Sequence, residues 1–139
     1  MDGKLMEYFN RQPRLGVIST SGRDGRVDSA VYGSPQMIDE KTVLVAFARG
    51  RTWANLLENP HAVYMIMEPG EGLQDWKGVR VYLRMLEHFE SGPKLEAYKR
   101  EAAKIVGEEA VKMIAVLATF EVEEVRPLID FGQGWEKST

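Results

Sequence analysis

The Asp24-Gly25 pair inside "SGRDGR" constrains this chain more than any other feature. Such a pair between two β-rich runs predicts a two-residue reversal, and that makes the flanking runs antiparallel neighbours. The run before it is "RLGVIST". The run after it is "VDSAVYGSPQMI", read as one return strand with Val27, Ser29, Val31 and Gly33 on one face and Asp28, Ala30, Tyr32 and Ser34 on the other. Pro35 predicts an edge or a bulge within that strand. "DEK" turns the chain again into "TVLVAFA", an apolar run that predicts burial on both faces.

Beyond this meander the pattern alternates between β and short helical segments. Leu5, Met6 and Phe9 share one face of a leading helix that Pro13 stops. A short helix after Arg51 carries Trp53, Leu56 and Leu57 toward a core and ends at Pro60. "HAVYMIM" and "VRVYLRMLEHFE" read as strands separated by the polar loop "EPGEGLQDWKG". "GPKLEAYKREAAKIVG" reads as a helix, with Gly92 as cap, Pro93 in the first turn and Gly107 at the end. Its apolar stripe is Leu95, Tyr98, Ala102 and Ile105, and Glu96 is spaced to pair with Arg100. A last strand, "KMIAVLATFEVEEVRPL", turns polar after Phe120. Strands outnumber helices and are linked by tight turns. The expectation is therefore a mainly β, antiparallel small barrel with flanking helices, not a doubly wound parallel sheet.

The 139 residues suffice for a single domain, 1–139, with its own core. A net charge of −3 supplies no global basic field for nucleic acid or anionic membrane, so any anion site is local. The chain has no cysteine, which excludes disulfides and thiol nucleophiles and suits a reducing cytoplasm. No apolar signal core is visible at the N-terminus, and no apolar run reaches the ~20 residues of a membrane span. Only His61 and His88 are available as imidazole ligands, and neither has paired metal-ligand spacing. Neither a Walker loop nor a GxSxG elbow is present.

The local site signal is "FARGRTWANLLENP". Thr52 is a good N-cap, and Arg49 and Arg51 lie within about a turn of a helix end that is already positive. Cations are disfavoured there by ~0.3–1 kcal/mol. An anion relieves that arrangement, because free N–H groups, a hydroxyl and two guanidinium forks describe a phosphate cradle. Solvated arginines at a strand end are the bland alternative, and the residues alone weigh the two about equally.

The runs "GVISTSGRDGRVDSAVYG" and "VLVAFARGRTWANLLENPHAVYMI" resemble the pyridoxamine-phosphate-oxidase-like family of FMN-binding split barrels. The resemblance implies a six-stranded antiparallel split β-barrel of Greek-key form. It implies FMN as cofactor, with a deazaflavin coenzyme or haem as alternatives, held between the subunits of a homodimer. Carried onto this sequence, Arg51 and Thr52 would hold the phosphate and Asn55 would support the loop or reach the cofactor. Arg49 would serve the phosphate or the partner subunit. The isoalloxazine ring would lie along Ala30, Val31, Tyr32 and Gly33 and against Phe47 and Ala48. Trp76, Tyr82 or Trp135 would provide an aromatic wall. The tail "IDFGQGWEKST" lacks the arginine- and histidine-bearing segment of true pyridoxamine phosphate oxidase, so the likeness is to shorter, generic flavoproteins. The implied function is an oxidoreductase acting on an unnamed small molecule. A flavin- or haem-binding carrier and an empty structural barrel are the competing readings.

Overall fold

A computed structural model describes residues 3–139. Its elements are α1 (Lys4–Asn10), β1 (Leu15–Ser21), β2 (Val27–Val31), β3 (Gln36–Asp39), β4 (Thr42–Phe47) and α2 (Arg51–Glu58). There follow β5 (His61–Glu68), β6 (Lys77–Phe89), α3 (Pro93–Val106), α4 (Glu108–Val111) and β7 (Val116–Pro127). All strand pairs are antiparallel. The sheet has seven strands in the order β2-β1-β5-β6-β7-β4-β3, where the sequence predicted six. The extra strand arises because "VDSAVYGSPQMI" is not continuous. Its first part pairs with β1 and its last part with β4. Pro35 lies in the break, consistent with a residue that cannot donate to a ladder.

This break defines the barrel. β2 and β3 are consecutive in the chain yet sit at opposite ends of the sheet order. The short connection through Gly33–Pro35 therefore bridges the two ends of a curled sheet. Ser34 stands in for strand pairing there. Its hydroxyl donates to the Ala46 carbonyl (3.1 Å) and accepts from the Ala46 N–H (3.3 Å).

The barrel interior holds Ile18, Val43, Val45, Tyr64, Val79, Val81, Leu83 and Phe120. α1 contributes Leu5, Tyr8 and Phe9 to it, and α2 contributes Trp53 and Leu56. Leu57 of α2, predicted as core, is 55% exposed. In so short a helix only the stripe of Trp53 and Leu56 reaches the barrel. α3 packs outside through Leu95, which joins Ala46 and Leu117 in a small separate core. That second core accounts for the apolar character of β4 on both faces. Gly92, Pro93 and Gly107 take their predicted places at the ends of α3. Glu101 rather than Glu96 makes the ion pair on this helix, with Lys104 at 3.1 Å.

Two irregularities redirect side chains in β6 and β7. Met85 pairs with Phe120 and Glu87 with Thr119, so Leu86 is an extra residue in β6. The alternation reverses there, and His88 packs edge-on against Trp53, 4.9 Å between centroids. The acidic run in β7 is cross-linked to its neighbours, with Glu121 on Arg84 (3.1 Å) and Glu123 on His61 (3.4 Å). Among the described residues no helix is long and apolar enough to cross a membrane.

Candidate functional site

α2 starts two residues earlier than its sequence suggests. Gly50 is the N-cap and Thr52 lies inside the first turn, where no side chain caps the helix. A Thr at that position can no longer satisfy the free amides ahead of it, so the N-terminus offers its N–H groups outward. Gly50 is extended (φ −164°), and a Cβ built on it would meet nothing within 4 Å. Space for a ligand is thus open directly at the cap.

The predicted phosphate residues divide. Arg51 is exposed and its guanidinium has no partner among the described residues. Arg49 is exposed too, but it bonds Glu90 at 3.2 Å. An ion pair this exposed contributes only ~0–1 kcal/mol, so it yields readily to a stronger anion. Thr52 is 6% exposed. Its hydroxyl meets the Tyr32 phenol, whose pKa burial pushes up while the Thr52 hydrogen bond pulls it down. Asn55 donates to the buried Thr20 hydroxyl at 3.1 Å and so ties α2 to β1. Glu58 accepts from the Arg23 N–H (2.8 Å) and fastens the same helix to the β1–β2 hairpin.

The predicted ring residues divide as well. The Tyr32 N–H donates to the Gly16 carbonyl (3.0 Å). That bond sets the phase of the β1–β2 ladder: Asp28 and Ala30 form hydrogen-bonded pairs, and Val27, Ser29 and Val31 turn their amide and carbonyl groups to the open edge. The Tyr32 carbonyl accepts from the Tyr64 phenol (2.6 Å), and the Gly33 carbonyl accepts from Arg14 (2.8 Å). Free backbone for a flat polar ligand is therefore offered by Val31 and by Ser29. Side-chain alternation does not reveal this second residue, because the face of a strand says nothing about its hydrogen-bond phase. A Cβ at Gly33 would meet nothing within 4 Å. Across the break, Phe47 is buried and stacks on Trp53 (5.6 Å), while Ala48 lies past the end of β4.

Arg14 organises this wall from behind. It donates to the Phe9 and Gly33 carbonyls and lies over the rings of Phe9 (5.3 Å) and Tyr64 (5.2 Å). Burial lowers its pKa. Of the three aromatic wall candidates, Tyr82 shares the outward sheet face with β2, through the row Ser29–Ser19–Val63–Tyr82. Trp76 lines a hollow with Phe131, and Trp135 one beside α1 and β7.

No protein-family model matches the chain, and no curated protein matches it. Solved structures do. An FMN-binding protein from Syntrophomonas wolfei subsp. wolfei superposes with a TM-score of 0.73 at 21% identity, over 93% of this chain and 85% of that one. HutZ, the haem storage protein of Vibrio cholerae, gives 0.64 at 15% over 86% and 89%. An F420 reductase gives 0.63 at 15% over 88% and 94%. At these identities the likeness is one of fold: the chain has the split-barrel fold of the pyridoxamine-phosphate-oxidase-like proteins.

Proposed function

We propose that the chain binds FMN and acts as a flavin-dependent oxidoreductase, with the cofactor held between two copies. The observation that carries this is the start of α2: an uncapped helix N-terminus whose first residue, Arg51, has no partner among the described residues. The phosphate would sit there, on the free N–H groups and the Arg51 guanidinium, with Arg49 exchanging Glu90 for it. The ring would lie over the open edge at Ser29 and Val31 and against Gly33 and Ala48. Flavin supplies hydride and single-electron transfer when bound, and the protein contributes placement and exclusion of water. Among the structural neighbours the described ligands are FMN, F420 and haem, and a free cation at a helix N-terminus suits the two that bear a phosphate, FMN and F420.

Arg51→Ala tests this directly. Hydrogen bonds to charged groups are worth ~1.5–3 kcal/mol, so FMN affinity falls by about one to two orders of magnitude. Unchanged affinity in a flavin-fluorescence titration would falsify the phosphate role. The mass of the cofactor released from purified protein separates FMN from a deazaflavin or haem. Turnover with reduced nicotinamide and an acceptor panel separates an enzyme from a carrier.

A further inference from the structure

A large cavity with a mostly apolar wall lies away from the start of α2. It lies where the barrel is split, between the Gly33–Gln36 connection, the end of β4 and the outer helix α3, with a volume of about 850 Å³. That is within the range of small-molecule sites, roughly 300–1,000 Å³. One wall is Gly33, Phe47 and Ala48; the opposite wall is Tyr98, Ala102 and Ile105. The second wall is the apolar stripe of α3. Only Leu95 of that helix is buried, and Ile105 is left 86% exposed. Leu95 and Tyr98 rest on the small core with Ala46 and Leu117, and beyond them the stripe at Ala102 and Ile105 is open to an apolar ligand.

The polar groups narrow the chemistry. Glu101 is the one charged residue on the wall, and its carboxylate is paired with Lys104. No cation is among the described lining residues, and Glu101 keeps its carboxylate mostly in solvent beside Lys104, so the wall favours a neutral ligand. The Tyr98 hydroxyl makes no hydrogen bond among the described residues, although the ring is half-buried and burial pushes its pKa up. A half-buried phenol without a partner leaves a donor available.

We propose that this cavity binds a neutral, largely apolar small molecule carrying a hydrogen-bond acceptor, which receives the Tyr98 hydroxyl. Because it shares Gly33 and Ala48 with the wall assigned to the flavin ring, its occupant lies beside that ring as its substrate. This last step rests on the FMN reading; the binding itself does not.

Nile red, a neutral apolar dye with a carbonyl, is the probe. Titrated into the full chain, it gives saturable binding at one site per chain. Ala102→Trp fills the cavity from the exposed side of α3 and weakens the dye about ten-fold or more while FMN affinity is unchanged. Tyr98→Phe weakens it roughly two- to ten-fold, the worth of one hydrogen bond. A sulfonated analogue of the dye binds about ten-fold more weakly or worse, because its charge finds no counter-charge. The proposal is overturned by non-saturable binding, by equal affinity in Ala102→Trp, or by equal affinity for the sulfonated dye. It is also overturned if Ala102→Trp halves the mass in light scattering, since a second copy then occupies the groove. A chain that takes up Nile red at this site but not FMN keeps the cavity and loses only the flavin reading.

Discussion

Gly16 shows how tightly single atoms are placed behind the candidate site. A Cβ there would stand 1.9 Å from the Tyr64 phenol oxygen, on a side chain that is 0% exposed and already bonded to the Tyr32 carbonyl. Gly16→Ala must displace that ring or the strand. It is expected to cost about 2–3 kcal/mol in urea unfolding, from overpacking plus a lost buried hydrogen bond. Gly50→Ala is the contrast: its Cβ enters open space on an extended backbone, so stability stays within about 0.5 kcal/mol. Equal destabilisation by the two changes would refute the packing described around Tyr64.

Among the elements, α2 is tied to its surroundings by few side-chain bonds, and the one from Asn55 reaches the buried Thr20 of β1. Removing its amide leaves the Thr20 hydroxyl, 4% exposed, without its partner. Asn55→Ala is therefore expected to lose about 1–3 kcal/mol of stability and to increase hydrogen exchange at the N-terminus of α2. A change confined to cofactor affinity would instead make Asn55 a ligand. The segment after β7 answers to pH. The Gly132 N–H, and then Arg126, hold the Asp130 carboxyl below the usual carboxylate range. With a depressed folded-state pKa, its contribution is present above that range and is lost as pH falls through the folded value. Protection of the Gly132 amide should thus decline below about pH 4 and be insensitive to pH in Asp130→Asn. Protection that persists into acid in the unmodified chain would remove Asp130 from that role.

At the scale of the whole molecule, the outward face of β2 and β1 is conspicuous for its apolar exposure. Val27 is 81% and Val31 72% exposed, with Leu15 at 45% on the neighbouring strand. Val17 and Met65 continue the row from Val31 across the sheet. Exposed apolar surface of this kind is where the proposed second copy would seat, and it adjoins the open edge proposed for the ring. Val31→Glu is expected to halve the mass measured by light scattering and to weaken FMN in parallel. A dimer that survives the charge would place the interface elsewhere.

The sequence by itself determined the meander of antiparallel strands, the ends of α3 and the position of α2 after an apolar strand. Turn residues, caps and apolar periodicity act within a few residues, and they are read where they stand. It also singled out Arg51, because a cation at a helix start is a local conflict. Only the tertiary structure decided that Tyr32–Pro35 splits one predicted strand into two, since which strands β2 and β3 pair with depends on partners far away in the chain. It alone set the hydrogen-bond phase that frees Ser29 and Val31 and engages Tyr32, which follows from pairing to Gly16 rather than from side-chain alternation. It also drew Arg49 to Glu90, forty-one residues on, and left part of the α3 stripe, Ala102 and Ile105, facing a cavity. Each of these is a relation between distant segments, and the packing of the closed barrel, not any local propensity, fixes it.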